Sequence, residues 1–215
     1  FSEFGYKKTL DDSSMDQEKQ KKCNTYFSGI NQSAKRLLEM INDILKLSLL
    51  ESGQEKFNIK SNDLDHIIRQ SLATLEKKLK TKEIKIKYTM LDNGTFICDG
   101  PKISEVINRI MQNAIKFSPQ ASEIDIQVSL QSENESHNKY FKICISDQGP
   151  GIPKGELRSI FEKFSQSSTT NTGAGGRGLG LTICREIISQ HQGKIWVENN
   201  QSVGACFCIQ LPVAV

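Results

Sequence analysis

The chain has 215 residues, with 28 Lys and Arg against 25 Asp and Glu and a formal net charge of +3. That length accommodates one domain with a helical extension. The basic residues stand among acids (Lys19, Lys21 and Lys22 beside Asp16 and Glu18; Lys77, Lys78, Lys80 and Lys82 beside Glu76 and Glu83) and read as solvated helix faces, not nucleic-acid patches. No apolar run reaches membrane-spanning length, and no signal peptide is visible.

Residues Asp16 to Glu51 read as one long helix. In it Cys23, Phe27, Ile30, Ala34, Leu37, Ile41, Ile44 and Ser48 alternate spacings of four and three, a heptad seam. Leu38, Leu45 and Leu49 widen the stripe, which suits a bundle better than a bare two-stranded coil. A short segment, Phe1 to Leu10, precedes it across the polar turn Asp11-Asp12-Ser13-Ser14, making a helical hairpin with one arm cut short. Such a hairpin cannot cover its own apolar stripe; a homodimer would cover more. Ser52-Gly53-Gln54 ends the helix as a hinge-like linker and divides the chain into residues 1–53 and 54–215.

Beyond the linker the pattern predicts a strand at Phe57–Ile59, a helix at Leu64–Leu79, strands at Ile84–Thr89 and Thr95–Cys98, and a helix from Pro101 to Phe117. Strands at Glu123–Leu130 and Tyr140–Ser146 follow across a polar turn, then a short helix around Gly155–Phe164. Ser165 to Gly175 is rich in Ser, Thr, Asn and Gly and reads as a lid. A helix at Leu179–His191 and strands near Lys194–Glu198 and Ala205–Leu211 close the chain. The expected fold class is α+β: a two-layer α/β sandwich, with a mixed sheet and helices on one face, preceded by a helical hairpin that dimerises as a bundle.

The chemistry concentrates in two glycine loops. Asp147-Gln148-Gly149-Pro150-Gly151-Ile152 sets a carboxylate before the first, and Gly176-Arg177-Gly178-Leu179-Gly180-Leu181 opens a helix. Glycines let backbone approach a ligand, and a helix start offers free N–H groups and a positive dipole end to phosphate. Together they read as a nucleotide pocket, with adenine at Asp147 and phosphates at the second loop. Upstream, Pro101 and the apolar Ile103, Val106, Ile107, Ile110, Met111 and Ala114 build a helix with one buried face. Asn113, Lys116 and Phe117 fall close to its end, near enough to serve one ligand. An Asn oxygen is a hard ligand suited to Mg²⁺, and Lys is a point charge for phosphate.

These residues resemble the ATP-binding domain of sensor histidine kinases, within the ATPase superfamily shared with gyrase, a heat-shock chaperone and mismatch-repair proteins. Asn113-Ala114-Ile115-Lys116-Phe117-Ser118-Pro119 is similar to the family's N box, and Asp147 to Ile152 to its first glycine box. Ile160-Phe161-Glu162-Lys163-Phe164-Ser165-Gln166 is similar to its phenylalanine box, and Gly176 to Leu181 to its second glycine box. Gly193 to Glu198 and Gly204 to Phe207 resemble the strands that close the domain. The resemblance implies ATP and Mg²⁺ as cofactors. It implies Asn113 as metal ligand, Lys116 on phosphate and Phe117 near the adenosine. Asp147 would read the adenine amine while Gly149 and Gly151 let the chain pass the base. Gly176, Gly178 and Gly180 would cradle phosphates, and Ile152, Phe164, Arg177 and Leu179 complete the implied pocket. Asn113 and Lys116 are the implied catalytic residues.

Two positions depart from the family pattern. Arg109 stands where a second Asn is common and where gyrase-like relatives carry a catalytic Glu, which argues against water-directed hydrolysis. Gln166 stands where some kinases carry an Arg; it can donate a hydrogen bond but brings no charge. Arg177 is either a substitute charge or a solvent-facing side chain. The long helix is similar to the second helix of a phosphotransfer hairpin, but no His-Glu-Leu-Arg-x-Pro-like box is present, so the acceptor His is expected upstream of Phe1; the alternative is a natural kinase-like protein without an acceptor.

The implied activity is a protein histidine kinase, passing phosphate from a His to an Asp of a response-regulator partner. It would be a cytoplasmic homodimer, attached to a membrane only through segments outside these residues. The alternative is a nucleotide-gated module that binds ATP without transfer. The six cysteines lack metal spacing and read as reduced, packed thiols. Of the histidines, His191 reads as a helix-end residue, and His66 and His137 lie in polar settings.

Overall fold

A computed structural model describes residues 17–91, 95–132, 139–169 and 178–213. The chain divides into two compact units, Phe1–Leu45 and Lys46–Val215. The long predicted helix is present as α1, Gln17–Glu51. The expected first arm of the hairpin, Phe1 to Leu10, lies outside the described residues. Among the described residues of the first unit the apolar stripe is exposed: Ile30 is 56% exposed, Leu37 60% and Ile41 45%. The last turns of α1 belong to the second unit, where Leu47 and Leu50 join the hydrophobic core.

The second unit runs β1 (Lys60–Asp63), α2 (Leu64–Thr81), β2 (Lys85–Met90), β3 (Thr95–Cys98) and α3 (Gly100–Phe117). It continues with β4 (Glu123–Ser132), β5 (Lys139–Ser146), two 3₁₀ turns (Lys154–Glu156 and Ser159–Phe161), α4 (Gly180–Gln190), β6 (Lys194–Asn199) and β7 (Ala205–Pro212). Five strands form one sheet in the order β2-β4-β5-β7-β6, and β1 pairs with β3 in a separate ribbon. The β2–β4 pairing is parallel and the rest of the large sheet is antiparallel, so the sheet is mixed, as expected. Alternate residues of its strands (Ile124, Ile126, Val128; Phe141, Ile143, Ile145; Phe207, Ile209, Leu211) share one core with the apolar stripes of α2, α3 and α4. One sheet face is thus covered by helices, giving the predicted two-layer sandwich.

Two predicted elements differ. The strand expected at Phe57–Ile59 lies at Lys60–Asp63, in antiparallel register with Thr95–Cys98. The apolar signal at Phe57 marks a packing contact rather than a ladder: its ring meets His191 edge-on at 5.3 Å, and the Asn58 N–H donates to Asp99 Oδ2. The helix expected around Gly155–Phe164 is two separate 3₁₀ turns. There the Ser159 hydroxyl bonds the Glu156 carbonyl, a local alternative to a continuous helical ladder.

Candidate nucleotide-binding site

The helix that carries Asn113 is held at both ends. The Asp99 side chain accepts from the Lys102 N–H at its start, and Pro101 occupies the first turn. Ser118 leaves the helix in extended backbone because Pro119 follows. The open carbonyls at that end are met by one ammonium: Lys82 Nζ donates to the carbonyls of Ile115 (2.8 Å), Lys116 (2.9 Å) and Ser118 (2.8 Å). On this fixed end Asn113 is half-buried, and among the described residues its amide has no hydrogen-bond partner. The Lys116 ammonium lies 4.8 Å from the Phe117 ring centroid, and desolvation pulls its pKa below the ordinary Lys value.

Asp147 follows the last residue of β5 and is 5% exposed. Its Oδ1 accepts from the N–H of Gly149 (2.8 Å) and of Ala205 (3.2 Å). Among the described residues both bonds fall on this one oxygen and none on Oδ2. Burial raises the carboxyl pKa, and the two backbone donors oppose that rise. A side chain on Gly149 would stand 3.0 Å from Asp147 Oδ1 and 3.2 Å from the Phe117 carbonyl oxygen. Gly149 therefore joins the end of α3 to the aspartate loop.

The remainder of the loop is clamped from β6 and the turn after it. Asn199 accepts from the Ile152 N–H (2.9 Å) and donates to the Ile152 carbonyl (2.6 Å). Asn200 Nδ2 donates to the Asp147 carbonyl at 2.8 Å. Gly204, at φ +94°, lies so close that a Cβ would stand 1.9 Å from the Asp147 carbonyl oxygen.

The phenylalanine segment meets the second glycine loop directly. Phe161 is buried and meets Phe207 edge-on at 6.5 Å, while Phe164 is 56% exposed with φ +61°. A Cβ on Gly178, at φ +71°, would stand 2.4 Å from the Phe164 carbonyl carbon. Leu179 is buried and Gly180 begins α4, whose first turn has no side-chain cap. Arg109 reaches this bare helix start: its Nη1 lies 3.7 Å from the position a Gly180 Cβ would take. Arg109 is itself paired with Glu105 at 3.0 Å, and Glu105 with Lys46. The predicted lid is described as far as Thr169, where Ser168 N–H donates to Glu156 at 3.0 Å. Gly176 and Arg177 lie outside the described residues.

Residues 98–215 match the family model described as histidine kinase-, DNA gyrase B- and HSP90-like ATPase, more than half of the chain. The chain belongs to this family. Within the histidine kinase ATPases, its relatives are sensor kinases. It is 32% identical over 192 residues to the circadian input-output histidine kinase CikA of Synechococcus elongatus, covering 87% of this chain and 24% of CikA. It is 33% identical over 192 residues to the adaptive-response sensory kinase SasA of Prochlorococcus marinus, covering 87% of this chain and 50% of SasA. It thus spans half or less of these relatives' length.

Among solved structures, histidine kinase ThkA in complex with response regulator protein TrrA aligns with TM-score 0.67 at 26% identity, over 98% of this chain and 55% of ThkA. ShkA in complex with AMPPNP shares the fold with TM-score 0.75 at 23% identity, over 90% of this chain and 39% of ShkA. The chain therefore carries the ATP-binding catalytic region of a sensor histidine kinase.

In this kinase region Gly149 stands between Asp147 and Phe117, the last residue of the helix that carries Asn113 and Lys116, while Gly151 and Ile152 lie against Asn199. The fold sets Phe164, Gly178, Leu179 and Gly180 together at the start of α4. Sequence reasoning missed Lys82, Asn199, Asn200 and the contact made by Gly204. Nothing local flags the first of these, since Lys82 is 33 residues from the first carbonyl it caps. Asn199 and Asn200 lay in a visible turn, Asn-Asn-Gln-Ser-Val-Gly, whose side chains could have been read as loop clamps.

Proposed function

We propose that this region binds ATP with Mg²⁺ and transfers the γ-phosphoryl group to a His outside these residues, from which it passes to an Asp of a response regulator. The observation that carries the reading is the pairing of a buried aspartate, with one oxygen pinned and one left over, with a helix start that lacks a side-chain cap. Asp147 Oδ2 accepts the adenine amine, and Gly149 and Gly151 let the loop pass the base. The free N–H groups at Gly178 to Gly180 take phosphate oxygens. Lys116 adds a positive charge, and Asn113 offers a neutral oxygen suited to a hydrated Mg²⁺. That amide fits the ion because no described side chain or backbone group occupies it. When bound, the metal neutralises phosphate charge. The chain's own residues then position the nucleotide, which is most of what phosphoryl transfer asks of a protein.

Residues 1–53 serve as the partial phosphotransfer hairpin and 54–215 as the ATPase domain. The exposed stripe of α1 would pair with a second copy, in a homodimer working in the cytoplasm, where ATP and response regulators are found. Membership of a kinase family disfavours binding without turnover.

The test supplies the 215-residue chain with ATP and Mg²⁺ beside a separate chain carrying an intact acceptor helix. Label stable to base and labile to acid should appear on that helix and not on His66, His137 or His191. Tight ATP binding without label on any supplied acceptor helix would overturn the transfer reading and leave a nucleotide-gated module.

A further inference from the structure

The sheet register assembles a cluster that the spacing of the cysteines does not reveal. Cys144 on β5 stands directly opposite Cys208 on β7, and Cys206 lies two residues along β7, opposite Ser146. Their strand neighbours Ile143, Ile145, Phe207 and Ile209 enter the helix-covered core. By the two-residue alternation of a strand, the three cysteines face the other side of the sheet.

Their sulfurs converge. Cys144 Sγ lies 2.9 Å from Cys208 Sγ, Cys208 Sγ lies 3.6 Å from Cys206 Sγ, and all three lie within 4.8 Å of one another. An ion with metal–sulfur bonds of about 2.3 Å in tetrahedral geometry needs sulfurs about 3.8 Å apart, inside that range. Cys144 and Cys206 are half-buried, which leaves a route for an ion, and Cys208 is buried. Cross-strand neighbours on a sheet face do not require three sulfurs to turn toward one point. Lys142, on the same face, lies with its ammonium 5.5 Å from the ring centroid of Trp196, the residue opposite Cys208 on β6. A cation therefore stands beside a set that becomes anionic once its thiols release protons to a metal.

We propose that Cys144, Cys206 and Cys208 form a binding site for one thiophilic metal ion of the Zn²⁺ or Cu⁺ class on the open face of the sheet. Three sulfur donors favour such ions and disfavour the oxygen-seeking Mg²⁺ of the nucleotide site. Three protein ligands leave one position of a tetrahedral ion for water. The site is separate from the ATP pocket, on the reverse of the strands that hold it: Ser146 precedes Asp147, and Cys206 follows the Ala205 whose N–H bonds that aspartate. It does not depend on the kinase reading.

The test uses the fully reduced 215-residue chain, titrated anaerobically with Zn²⁺, Cu⁺ or Mg²⁺ against a chromophoric chelator. One equivalent of Zn²⁺ or Cu⁺ should bind, and Mg²⁺ should not compete; the tighter of the two soft ions identifies the occupant. Cys144→Ser, Cys206→Ser and Cys208→Ser should each weaken binding on the order of 100-fold, while Cys23→Ser leaves it unchanged. Trp196, the single tryptophan, should change its fluorescence at one equivalent. A second measurement needs no variant: bound metal should protect Cys144 and Cys206 from alkylation, read by peptide mass. Uptake well below one equivalent, equal uptake by the triple Ser variant, or unprotected alkylation at saturating metal would overturn the site.

Discussion

The two ends of α3 and the first turn of α4 treat the same backbone problem in opposite ways. At α3, Asp99 caps the first turn and Lys82 alone meets the carbonyls of three residues at the last. At α4, the start has no side-chain cap, and glycine stands where a capping residue's neighbour would be. Helix starts are usually satisfied by Ser, Thr, Asp or Asn. In the function we propose, the end left without a cap takes the phosphates. The capped ends fix where Asn113, Lys116 and Phe117 sit; in that proposed function, the uncapped end and Asp147 do the binding.

The comparison breaks most severely if the loop between the two regions cannot close. Gly204→Ala forces a methyl group into the Asp147 carbonyl at a positive φ. We expect a loss of about 2–4 kcal/mol in stability, seen as a lower urea midpoint, together with loss of ATP binding. A folded variant with parental affinity would show that the contact can relax.

Asp147→Asn separates binding from stability. Losing a charge-assisted bond to the adenine amine should cost about 1.5–3 kcal/mol of ATP affinity by calorimetry. The fold should not suffer. Burial raises the Asp147 pKa above its ordinary 3.8, so its stabilising protonated form is complete below that value and is lost as pH rises through the folded value. At neutral pH the ionised group is a burden that Asn removes while still accepting the N–H groups of Gly149 and Ala205. Melting temperature unchanged or raised, with affinity lost, is the expected result.

Lys82→Met tests the capped end. It should remove about 1–3 kcal/mol of stability, since two half-buried acceptors and one exposed acceptor lose a charged donor. ATP affinity should fall only mildly, because no nucleotide contact is removed. A large affinity loss with unchanged stability would place Lys82 in the pocket instead.

The smallest effect concerns the link between capped ends. His191 is buried; its Nε2 accepts the Asp99 N–H at 3.0 Å and its Nδ1 lies 2.8 Å from the Ile187 carbonyl, so the ring is neutral with its proton on Nδ1. Burial lowers its pKa below 6.5. Its contribution is therefore complete above pH 6.5 and is lost as pH falls from there toward the folded value. Melting temperature should drop with acid over that range in the parent, and less steeply in His191→Gln.

How much of this could be read in advance follows from distance along the chain. The stripe of α3, its Pro101 start and the Pro119 stop are local signals, and they located that helix to within a residue. The glycine boxes are local signals too: Gly149 packs beside Asp147 and Gly180 opens α4. Lys82 was read as one charge in a solvated helix face, because its three acceptors lie more than thirty residues away. The cysteine cluster depends on the β5–β7 register, which spacing alone does not supply. Phe57 misled for the same reason: an apolar residue near a linker looks like a strand until its partner, His191, is known.

The most direct test of the capped and uncapped ends is an amide-resolved NMR titration with a non-hydrolysable ATP analogue and Mg²⁺. The account predicts that the largest shifts fall on Gly149, Gly178, Gly180 and Leu181 and on the Asn113 side-chain amide, with the capped start of α2 at Asp65 and His66 unmoved. Saturable binding whose shifts spare the start of α4 and the Asp147 loop would contradict it.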